Sequence, residues 1–326
     1  MTNFLDSSIG IKKETVFGTP VTVDRFCEFT AAPFKLDKSV KQGEGLRVGS
    51  RVARSARRVV PFSSVSGDLE LEACTKGMGV LWEAAMGAGV HTLVSTGLYQ
   101  QNFVFADTMP SYTIQEGIWD GSAVAAYTYA GCQCGSFSLE ASEGDILKAK
   151  FSFVGKSLAT ATAYATPSYV ASLGLFTFAH AAFYAGGTFT AATTTTLGSV
   201  TGTALAVVKK LSLSVDNQLK EGPQVGGLPS IRQPGLRGLS GSVDVEYSGA
   251  TFRDAIIAET EMPLVATFTN GTDVLQVILP AIKLDGDFPA PTSNDRISHS
   301  LSFTGLDNLT AAEPLYISTR TADTAL

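Results

Sequence analysis

Hydrophobic and polar residues alternate in short runs along most of the chain. In each run every second residue is apolar, and the residues between are polar or charged. The runs lie at 34–37, 68–72, 137–140, 150–153, 211–215, 243–246, 282–285 and 301–303. A period of two is typical of antiparallel strands with one buried face and one solvated face. Helical periodicity is confined to 78–86 and 251–259, so the pattern predicts a mainly β protein with two short helices.

The order of these elements is repeated in the two halves of the chain. The matching segments are 36–37 with 215–216, 66–72 with 240–246, 78–86 with 252–260, 137–140 with 282–285 and 151–155 with 301–305, at offsets of 179, 174, 174, 145 and 150. A changing offset fits duplicated domains that differ in loop length, because loops tolerate insertions. Alternation alone could align any two β-rich halves, but the shared order of Ser-Gly, strand and short helix favours a true duplication.

The boundary between the two halves is predicted after Lys156. The first domain is then 21–156 and the second 157–306. The stretch 157–208 contains no Lys, Arg, Asp or Glu, yet it carries several aromatic residues. A disordered linker would be more charged and less aromatic, so much of this stretch is expected to be strand. A surface without charge suits contact with protein better than open solvent.

Composition indicates that much of the surface is covered. Hydrophobic residues make up 44% of the chain and charged residues 17%, and the mean hydropathy is +0.17. The net charge of −6 argues against a surface that grips nucleic acid throughout, and against broad adhesion to anionic membranes. No basic segment followed by an apolar stretch opens the chain, and no apolar run is long enough for a membrane span.

Residue types used in catalysis and metal binding occur without the spacing that such chemistry needs. His91, His180 and His299 lie outside any triad or metal-binding motif. The four cysteines are too few for a disulfide scaffold, and Cys132-Gln133-Cys134 lacks the two-residue spacer of a zinc or redox motif. The Gly-rich loop 222–238 lacks the Lys-Ser/Thr ending of a phosphate-binding loop. We therefore expect no enzyme activity, cofactor or metal.

One cluster of basic residues stands out in the loop after the first alternating run. Its members are Lys41, Arg47, Arg51, Arg54, Arg57 and Arg58, opposed only by Glu44. The loop could be a solvated surface, or it could touch nucleic acid, although no aromatic residue interleaves for base stacking. The third interpretation is that the loop contacts acidic residues of a neighbouring subunit. Arginine suits such a contact, because its planar guanidinium group can form two hydrogen bonds to one carboxylate. The matching loop of the second half carries Arg232 and Arg237.

Acidic residues alternate along two strands that the repeat makes equivalent. They are Asp68, Glu70, Glu72, Asp244 and Glu246. Such pairs are first of all the solvated positions of amphipathic strands. If both strands present these positions to one shared surface, that surface is strongly negative. A negative channel wall would repel DNA phosphates and let DNA pass without sticking.

Three short phrases resemble the tail tube proteins of long-tailed bacteriophages, of the siphovirus type. Gly10-Ile11-Lys12-Lys13-Glu14-Thr15-Val16-Phe17-Gly18-Thr19 is similar to the Gly-x-Lys-x-Glu-x-x-x-Gly-Thr phrase that opens many of them. The segments 211–219 and 301–305 are similar to the phrases before the long loop and at the final strand. The resemblance implies two tandem β-sandwich or barrel tube domains, each with a short flanking α-helix, extended loops and terminal arms at 1–20 and 307–326.

The resemblance also implies how such a protein works. Tube domains join their sheets into rings, which stack through a long loop into a tube that delivers genome DNA. The basic loop occupies the position of that stacking loop. With two domains in one chain, three chains would make a pseudo-hexameric ring; alternatively the second half decorates a true hexamer. The implied partners are further copies of the chain, the tape measure protein and the tail terminator or tip proteins, with DNA in transit and no membrane. The implied location is the virion tail, after synthesis in the host cytoplasm.

A two-domain β-sandwich adhesin or receptor-binding module is the alternative function. Such a protein would expose aromatic residues for sugars at its loop tips. Trp82 and Trp119 are the only tryptophans, and Trp82 lies in the amphipathic segment 78–86, which favours a place in the core.

Overall fold

The computed structural model describes residues 6–205, 208–219, 231–246, 251–286 and 297–326, and these residues form mostly antiparallel strands. The first half contains β1 (Ser8–Lys13), β2 (Arg25–Cys27), β3 (Phe34–Gln42), β4 (Arg58–Glu72), α1 (Gly79–Met86), β5 (Gly87–Ser95), β6 (Leu98–Phe105), β7 (Tyr112–Trp119), β8 (Val124–Ser142), β9 (Lys148–Gly155) and β10 (Ser157–Ala159). The second half contains β11 (Ala181–Ala185), β12 (Phe189–Thr190), β13 (Ser199–Val200), β14 (Thr203–Ala204), β15 (Val208–Asp216), β16 (Gly238–Glu246), α2 (Thr251–Ile257), β17 (Met262–Asn270), β18 (Asp273–Asp285), β19 (Ser298–Gly305) and β20 (Tyr316–Thr321). The predicted mainly β fold with short helices is confirmed.

The strands form a β-sandwich in which two long strands, β8 and β18, take part in both layers. One layer has the order β3-β4-β9-β8-β15-β16-β19-β18. In the other layer the first part of β8 pairs with β7 and β10, and the first part of β18 pairs with β17 and β20. The apolar residues of the alternating runs point between the layers. Because β8 and β18 each pair with strands of both layers, they connect the two layers around the core.

The order of strand pairing is the same in the two halves. In the first half the strands are ordered β1-β7-β8-β9-β4-β3. In the second half the corresponding order is β11-β17-β18-β19-β16-β15. The registers agree with the sequence offsets of 179, 174 and 150. Gly67 lies opposite Phe34 and Phe153, and Gly241 lies opposite Leu213 and Phe303. Among the described residues of the second half the hairpin β5–β6 has no counterpart, which accounts for part of the changing offset.

One of the sequence offsets is wrong. The segment 137–140 was matched to 282–285 at 145, but Leu284 lies opposite Phe303 as Cys134 lies opposite Phe153, which is an offset of 150. The reason is that an alternating sequence matches equally well when the alignment is shifted by two residues. A bulge, which inserts one extra residue into a strand, hides an odd shift as well. A register shift in β8 between Cys134 and Ser136 adds to the ambiguity.

Among the described strands, two pairs join the halves. Leu139 of β8 lies opposite Leu213 of β15, so the first layer runs without a break from one half into the other. In the second layer β20 pairs with β6, with Ile317 opposite Phe103. Buried apolar residues of both halves accordingly form one continuous core. The domain boundaries themselves stay a prediction.

The helix α1 is buried on every side, because it lies between the inner face of the first layer and the hairpin β5–β6. Trp82 packs edge-on against Phe137 and Phe151, with ring centroids 6.0 and 5.2 Å apart. Gly87 ends the helix at a φ of 100°, and its N–H bonds to the carbonyl of Glu83. Such a left-handed cap favours glycine. The placement of Trp82 in the core, which the sequence favoured, is confirmed.

The uncharged stretch 157–208 contains less strand than expected. Its strands are short, and most of the segment between β10 and β11 is irregular. The backbone there is held by side chains of the sheet instead. The amide of Gln115 donates to the carbonyl of Ala163 at 3.0 Å and accepts from the N–H of Ala165 at 2.8 Å.

A buried carboxylate ties the first strand to the sandwich. Glu14 follows β1 and is 7% exposed. Its Oε1 accepts from Thr113 Oγ1 at 2.9 Å and from the N–H of Gly131 at 2.8 Å. Its Oε2 accepts from Ser111 Oγ at 2.8 Å and from the N–H of Gly18 at 2.7 Å. These four bonds explain physically why a glutamate stands in the Gly-x-Lys-x-Glu phrase.

We expect the substitution Glu14→Ala to lower the free energy of unfolding by at least about 3 kcal/mol, because two backbone N–H groups and two hydroxyls lose their buried acceptor. Chemical denaturation of the unassembled chain measures this change. The exposed Glu44→Ala serves as control and should shift it by less than about 0.5 kcal/mol. Equal stability of the two variants would contradict the structural role of Glu14.

Candidate assembly surfaces

The basic cluster lies on a hairpin that extends beyond the sandwich. Residues 43–57, here called the basic tip, connect β3 to β4, and every residue of the tip is exposed. The pairing of Lys41 with Val59 and of Gln42 with Arg58 carries the ladder up to the tip. Within the tip the N–H of Gly43 bonds to the carbonyl of Arg57 at 2.9 Å. The amide of Gln42 bonds to the carbonyl of Arg54 at 3.1 Å. These bonds give the tip a defined backbone. Arg47, Arg51, Arg54 and Arg57 project from it into solvent, and Lys41 and Arg58 are exposed on the two strands at its root.

Apolar side chains share the basic tip with the arginines. Leu46, Val48 and Val52 are 99%, 101% and 80% exposed, and Val59 and Val60 at the root of the hairpin are half exposed. Clustered apolar side chains of this kind mark contact surfaces in soluble proteins. Sequence reasoning identified the charges and missed these residues, although the alternating Leu46 and Val48 could have signalled them. The tip therefore offers both a charged and an apolar component to a protein partner.

The two arginines of the second half are engaged inside the chain. Arg232 is 4% exposed, its backbone N–H donates to Gln133 Oε1 at 2.8 Å, and its Nη2 donates to the carbonyl of Gly155. Arg237 donates from Nε to Asn217 Oδ1 at 3.0 Å and from Nη2 to the carbonyl of Ala106, and its guanidinium lies over the Phe105 ring. Burial lowers the pKa of Arg237. Both side chains therefore make contacts within this chain, whereas the basic residues of the first-half loop are exposed.

The five candidate acids share one face of one continuous sheet. In the first layer, Asp68, Glu70 and Glu72 of β4 lie opposite Ser152, Lys150 and Lys148 of β9. The same rows of side chains continue through β8 and β15 to β16, where Lys210 lies opposite Asp244. The neighbouring residues along each strand point into the core. The structure thus brings both groups of acids onto a single surface, which we call the polar face.

The polar face has more carboxylates than ammonium groups, and many serines lie between them. Its carboxylates are Asp37, Asp68, Glu70, Glu72, Glu140, Asp216, Asp244, Glu246 and Asp285, and its lysines are Lys35, Lys148, Lys150, Lys210 and Lys283. Lys209 also reaches this face, with its Nζ 3.7 Å from Glu246 Oε1. Lys210 Nζ lies 2.6 Å from Glu140 Oε1. Sequence reasoning missed the lysines because their position opposite the acids depends on which strands pair. The net charge of the face is therefore negative, but smaller in magnitude than its carboxylates alone would give.

Lys150 bridges two of the candidate acids. Its Nζ lies 2.8 Å from both Asp68 Oδ2 and Glu70 Oε1. Hydrogen bonds to Asp68 and Glu70 raise the pKa of Lys150 to about 12. Burial by itself would raise the pKa of Asp68, but hydrogen bonds from Lys150 and Ser152 outweigh it, so that pKa lies below its usual value.

The histidines and cysteines have structural surroundings. His180 Nδ1 accepts from the N–H of Thr177 at 3.1 Å and caps a short helical turn, while His91 stacks on Tyr99. Burial raises the pKa of Cys27 to about 12 and that of Cys74 to about 11, which keeps both thiols protonated at neutral pH. Within the described part of the chain, no three His, Cys, Asp or Glu side chains converge on a point where a metal ion could bind. Nor does any helix in that part have the length and apolar character needed to cross a bilayer.

Substituting Lys150→Met should raise the pKa of Asp68, because the hydrogen bond that lowers it is lost. A carboxylate whose pKa is lower in the folded chain than in the unfolded chain stabilises the fold at pH values above its unfolded pKa. This contribution to the free energy of unfolding is lost as the pH falls through the folded pKa. The variant should accordingly lose less stability on acidification below about pH 4. NMR titration of the Asp68 carboxyl carbon and acid unfolding measure both effects. Lys148→Met is the matched control, because Lys148 bonds to Asp145 instead. An unchanged Asp68 titration in Lys150→Met would contradict the bridge.

Comparison with known proteins identifies the family. Residues 5–305 match the family described as phage tail tube protein, and the match includes the basic tip, the polar face and both halves of the sandwich. A comparison with curated proteins gave no match. The family match indicates a structural role in the virion tail, in agreement with the resemblance of the opening phrase. The chain therefore belongs to the phage tail tube protein family.

Proposed function

We propose that this chain forms rings that stack into the tail tube, with the polar face turned inward as the wall of the channel for genome DNA. The observation that carries the proposal is the continuity of the polar face across both halves of the chain. A face that reaches the edges of the sheet can be extended by the next copy. The other face of the same sheet is filled by the core, so only the polar face is open to a channel.

The junction between β8 and β15 supports ring formation. It joins two sandwiches of the same strand order edge to edge, with Phe137 opposite Val215 and Leu139 opposite Leu213. A repeated edge-to-edge step of this kind closes into a ring when the rotation per step divides the circle. Closure would also cover the outer edge of β3, which pairs only with β4 among the described strands. The repeated strand order favours three chains, each supplying two equivalent units, over a hexamer with a decorating second domain.

The composition of the polar face supports passage of DNA. Carboxylates in excess repel phosphates, and the lysines of this face are engaged by carboxylates such as Asp68, Glu70 and Glu140. Serines such as Ser138 and Ser214 offer no positive charge to a phosphate. Binding to duplex DNA is dominated by cations that displace counterions, so a wall of this kind holds DNA weakly. The tape measure protein would occupy the same channel before ejection, and terminator and tip proteins would cap the tube assembled from chains made in the host cytoplasm.

The ring is tested by imaging. The purified chain should form rings or tubes in negative-stain electron microscopy, and averaged end views should show six similar units around the channel. Discrete monomers in both imaging and size-exclusion chromatography would overturn the proposal and favour the adhesin alternative.

The orientation of the polar face is tested with Ser214→Lys combined with Ser240→Lys, two solvated positions in one row of that face. The added lysines should leave tube assembly intact but make tubes retain duplex DNA at about 50 mM salt and release it at about 200 mM. Virions carrying them should eject DNA more slowly. The variant with Gln at both positions is the control for side-chain size. If the lysine variant ejects DNA as fast as the glutamine variant, the polar face does not line the channel.

A further inference from the structure

The junction between the halves includes a polar contact at the end of α1. Asn217 follows β15 and is fully buried. Its N–H donates to the carbonyl of Gly135 at 2.8 Å, which continues the pairing of β15 with β8 by one residue. Its side-chain amide donates to the carbonyl of Ala85, in the last turn of α1, at 2.9 Å and to that of Cys134 at 3.1 Å. A donor from the second half thus binds the C-terminal end of the helix of the first half.

Arg237 brings a positive charge to the same place. It donates from Nε to Asn217 Oδ1 at 3.0 Å and from Nη2 to the carbonyl of Ala106, whose own N–H bonds to the carbonyl of Met86 at 3.1 Å. Met86 is the last residue of α1. The carbonyl groups at the C-terminal end of a helix lack partners within the helix and carry partial negative charge, so they favour donors and cations. The second half supplies both to the helix of the first half.

Lys38 is the counterpart of Asn217 in the first half. It follows Asp37 in β3 as Asn217 follows Asp216 in β15, at the offset of 179 that the registers of the two hairpins support. Leu36 packs against the core, and residues two apart lie on the same face of a strand. The side chain of Lys38 therefore leaves its strand on the core side, as that of Asn217 does. Lys38 is nevertheless exposed, because among the described strands β3 pairs only with β4.

The counterpart of the end of α1 is the end of α2, where Glu259 stands. Both helices lie against the long strand of their half, α1 on β8 and α2 on β18. Gly87 ends α1 at a φ of 100°, and Glu259 follows α2 at a φ of 53°. The N–H of Thr260 bonds back to the carbonyl of Ala255 at 2.9 Å, as in a left-handed cap. A side chain is strained in this conformation, and a carboxylate is unfavourable beside helix carbonyls. A residue that breaks two local rules indicates a functional position.

The end of α2 is open, whereas the end of α1 is covered. Glu259 Oε2 lies 3.7 Å from Lys283 Nζ, and its side chain is 66% exposed. Ile257, the last residue of α2, is 64% exposed, while every residue of α1 is buried. Among the described residues of the second half, nothing corresponds to the hairpin β5–β6 that lies against α1. The end of α2 can therefore receive a cation from outside the chain.

We propose that Lys38 of one copy binds the end of α2 of the neighbouring copy in the ring, with its ammonium group between the last carbonyls of that helix and the carboxylate of Glu259. This inference rests on the proposed ring, in which β3 of one copy lies beside β18 of the next as β15 lies beside β8 within the chain. The offsets of 179 and 150 then put Lys38 opposite Asp285, as Asn217 lies opposite Gly135. Lysine is longer than asparagine, so its ammonium group extends past the position of the Asn217 amide toward Glu259. The contact is lateral, between neighbours of one ring.

Charge reversal on each side tests the contact. In Lys38→Glu and in Glu259→Lys, like charges meet at a contact that excludes water, which is strongly unfavourable. Each variant should therefore raise the concentration at which half of the chains are assembled by about tenfold or more. The chain that carries both substitutions should assemble at a lower concentration than either single variant, because the two charges are exchanged. Analytical ultracentrifugation measures assembly, and circular dichroism verifies that each variant is folded.

Glu259→Gly separates the contact from a purely local role. Glycine adopts the left-handed conformation without strain, so the melting temperature of the unassembled chain should rise by about 1–3 °C. The half-assembly concentration should rise in the same variant by about threefold or more, because the carboxylate that faces Lys38 is lost. A rise in melting temperature with unchanged assembly would show that Glu259 has no partner in the neighbouring copy.

Two control variants carry the same changes of charge at the turn between β8 and β9. Lys148→Glu and Glu143→Lys lie away from β3 and α2 and should shift the half-assembly concentration by less than about twofold. If the unaltered chain forms no rings, the proposed function fails. If it forms rings and both reversal variants assemble as well as it does, the contact is wrong while the ring stands. The contact is also wrong if the double variant assembles no better than the single ones, because the two side chains then do not face each other.

Discussion

The edge-to-edge pairing of β8 with β15 is the interaction on which the rest of this structure depends. It places Leu139 opposite Leu213 and Phe137 opposite Val215, so the apolar sides of both halves enter one core. On the opposite side of the same strands it aligns Ser138 with Ser214, which makes the solvated surfaces continuous. A backbone ladder of this kind fixes both faces at once, because side chains alternate with a period of two. The polar face and the shared core are therefore two results of one pairing.

Other contacts hold the parts that this pairing leaves open. The carboxylate of Glu14 fastens the segment after β1 to β7 and to Gly131 of β8. Pairing of β20 with β6 ties the end of the second half to the inserted hairpin of the first. Near the same place the N–H of Gly77 donates to Asp323 Oδ2 at 2.5 Å. The terminal segments 1–20 and 307–326, expected to be arms, contain β1 and β20, which pair with β7 and β6 of the same chain.

The distribution of charge follows the direction of the strands. One end of β4 leads into a hairpin of arginines and exposed aliphatic residues, and the other end carries Asp68, Glu70 and Glu72, which lie opposite Ser152, Lys150 and Lys148 of β9. Between them the polar face combines carboxylates with lysines that the carboxylates already engage. Each of these surfaces has a separate physical origin, so each can be altered without unfolding the others.

The alternation of residues by itself determined which side chains of each strand face the core, and the repeated Ser-Gly phrase determined most of the correspondence between the halves. Both are local properties, because they depend on a period of two and on a glycine where Phe34 or Phe303 leaves no room for a Cβ. Only the tertiary structure decided which strands are neighbours. It placed Lys150 between Asp68 and Glu70, buried Arg232, engaged the half-buried Arg237 with Asn217, and corrected the offset of β8 to β18. The role of Glu14 also required it, since three of its four partners come from two distant segments, 111–113 and Gly131. The physical reason is that an amphipathic strand specifies a face but no partner, and its partner is chosen by the packing of the whole core.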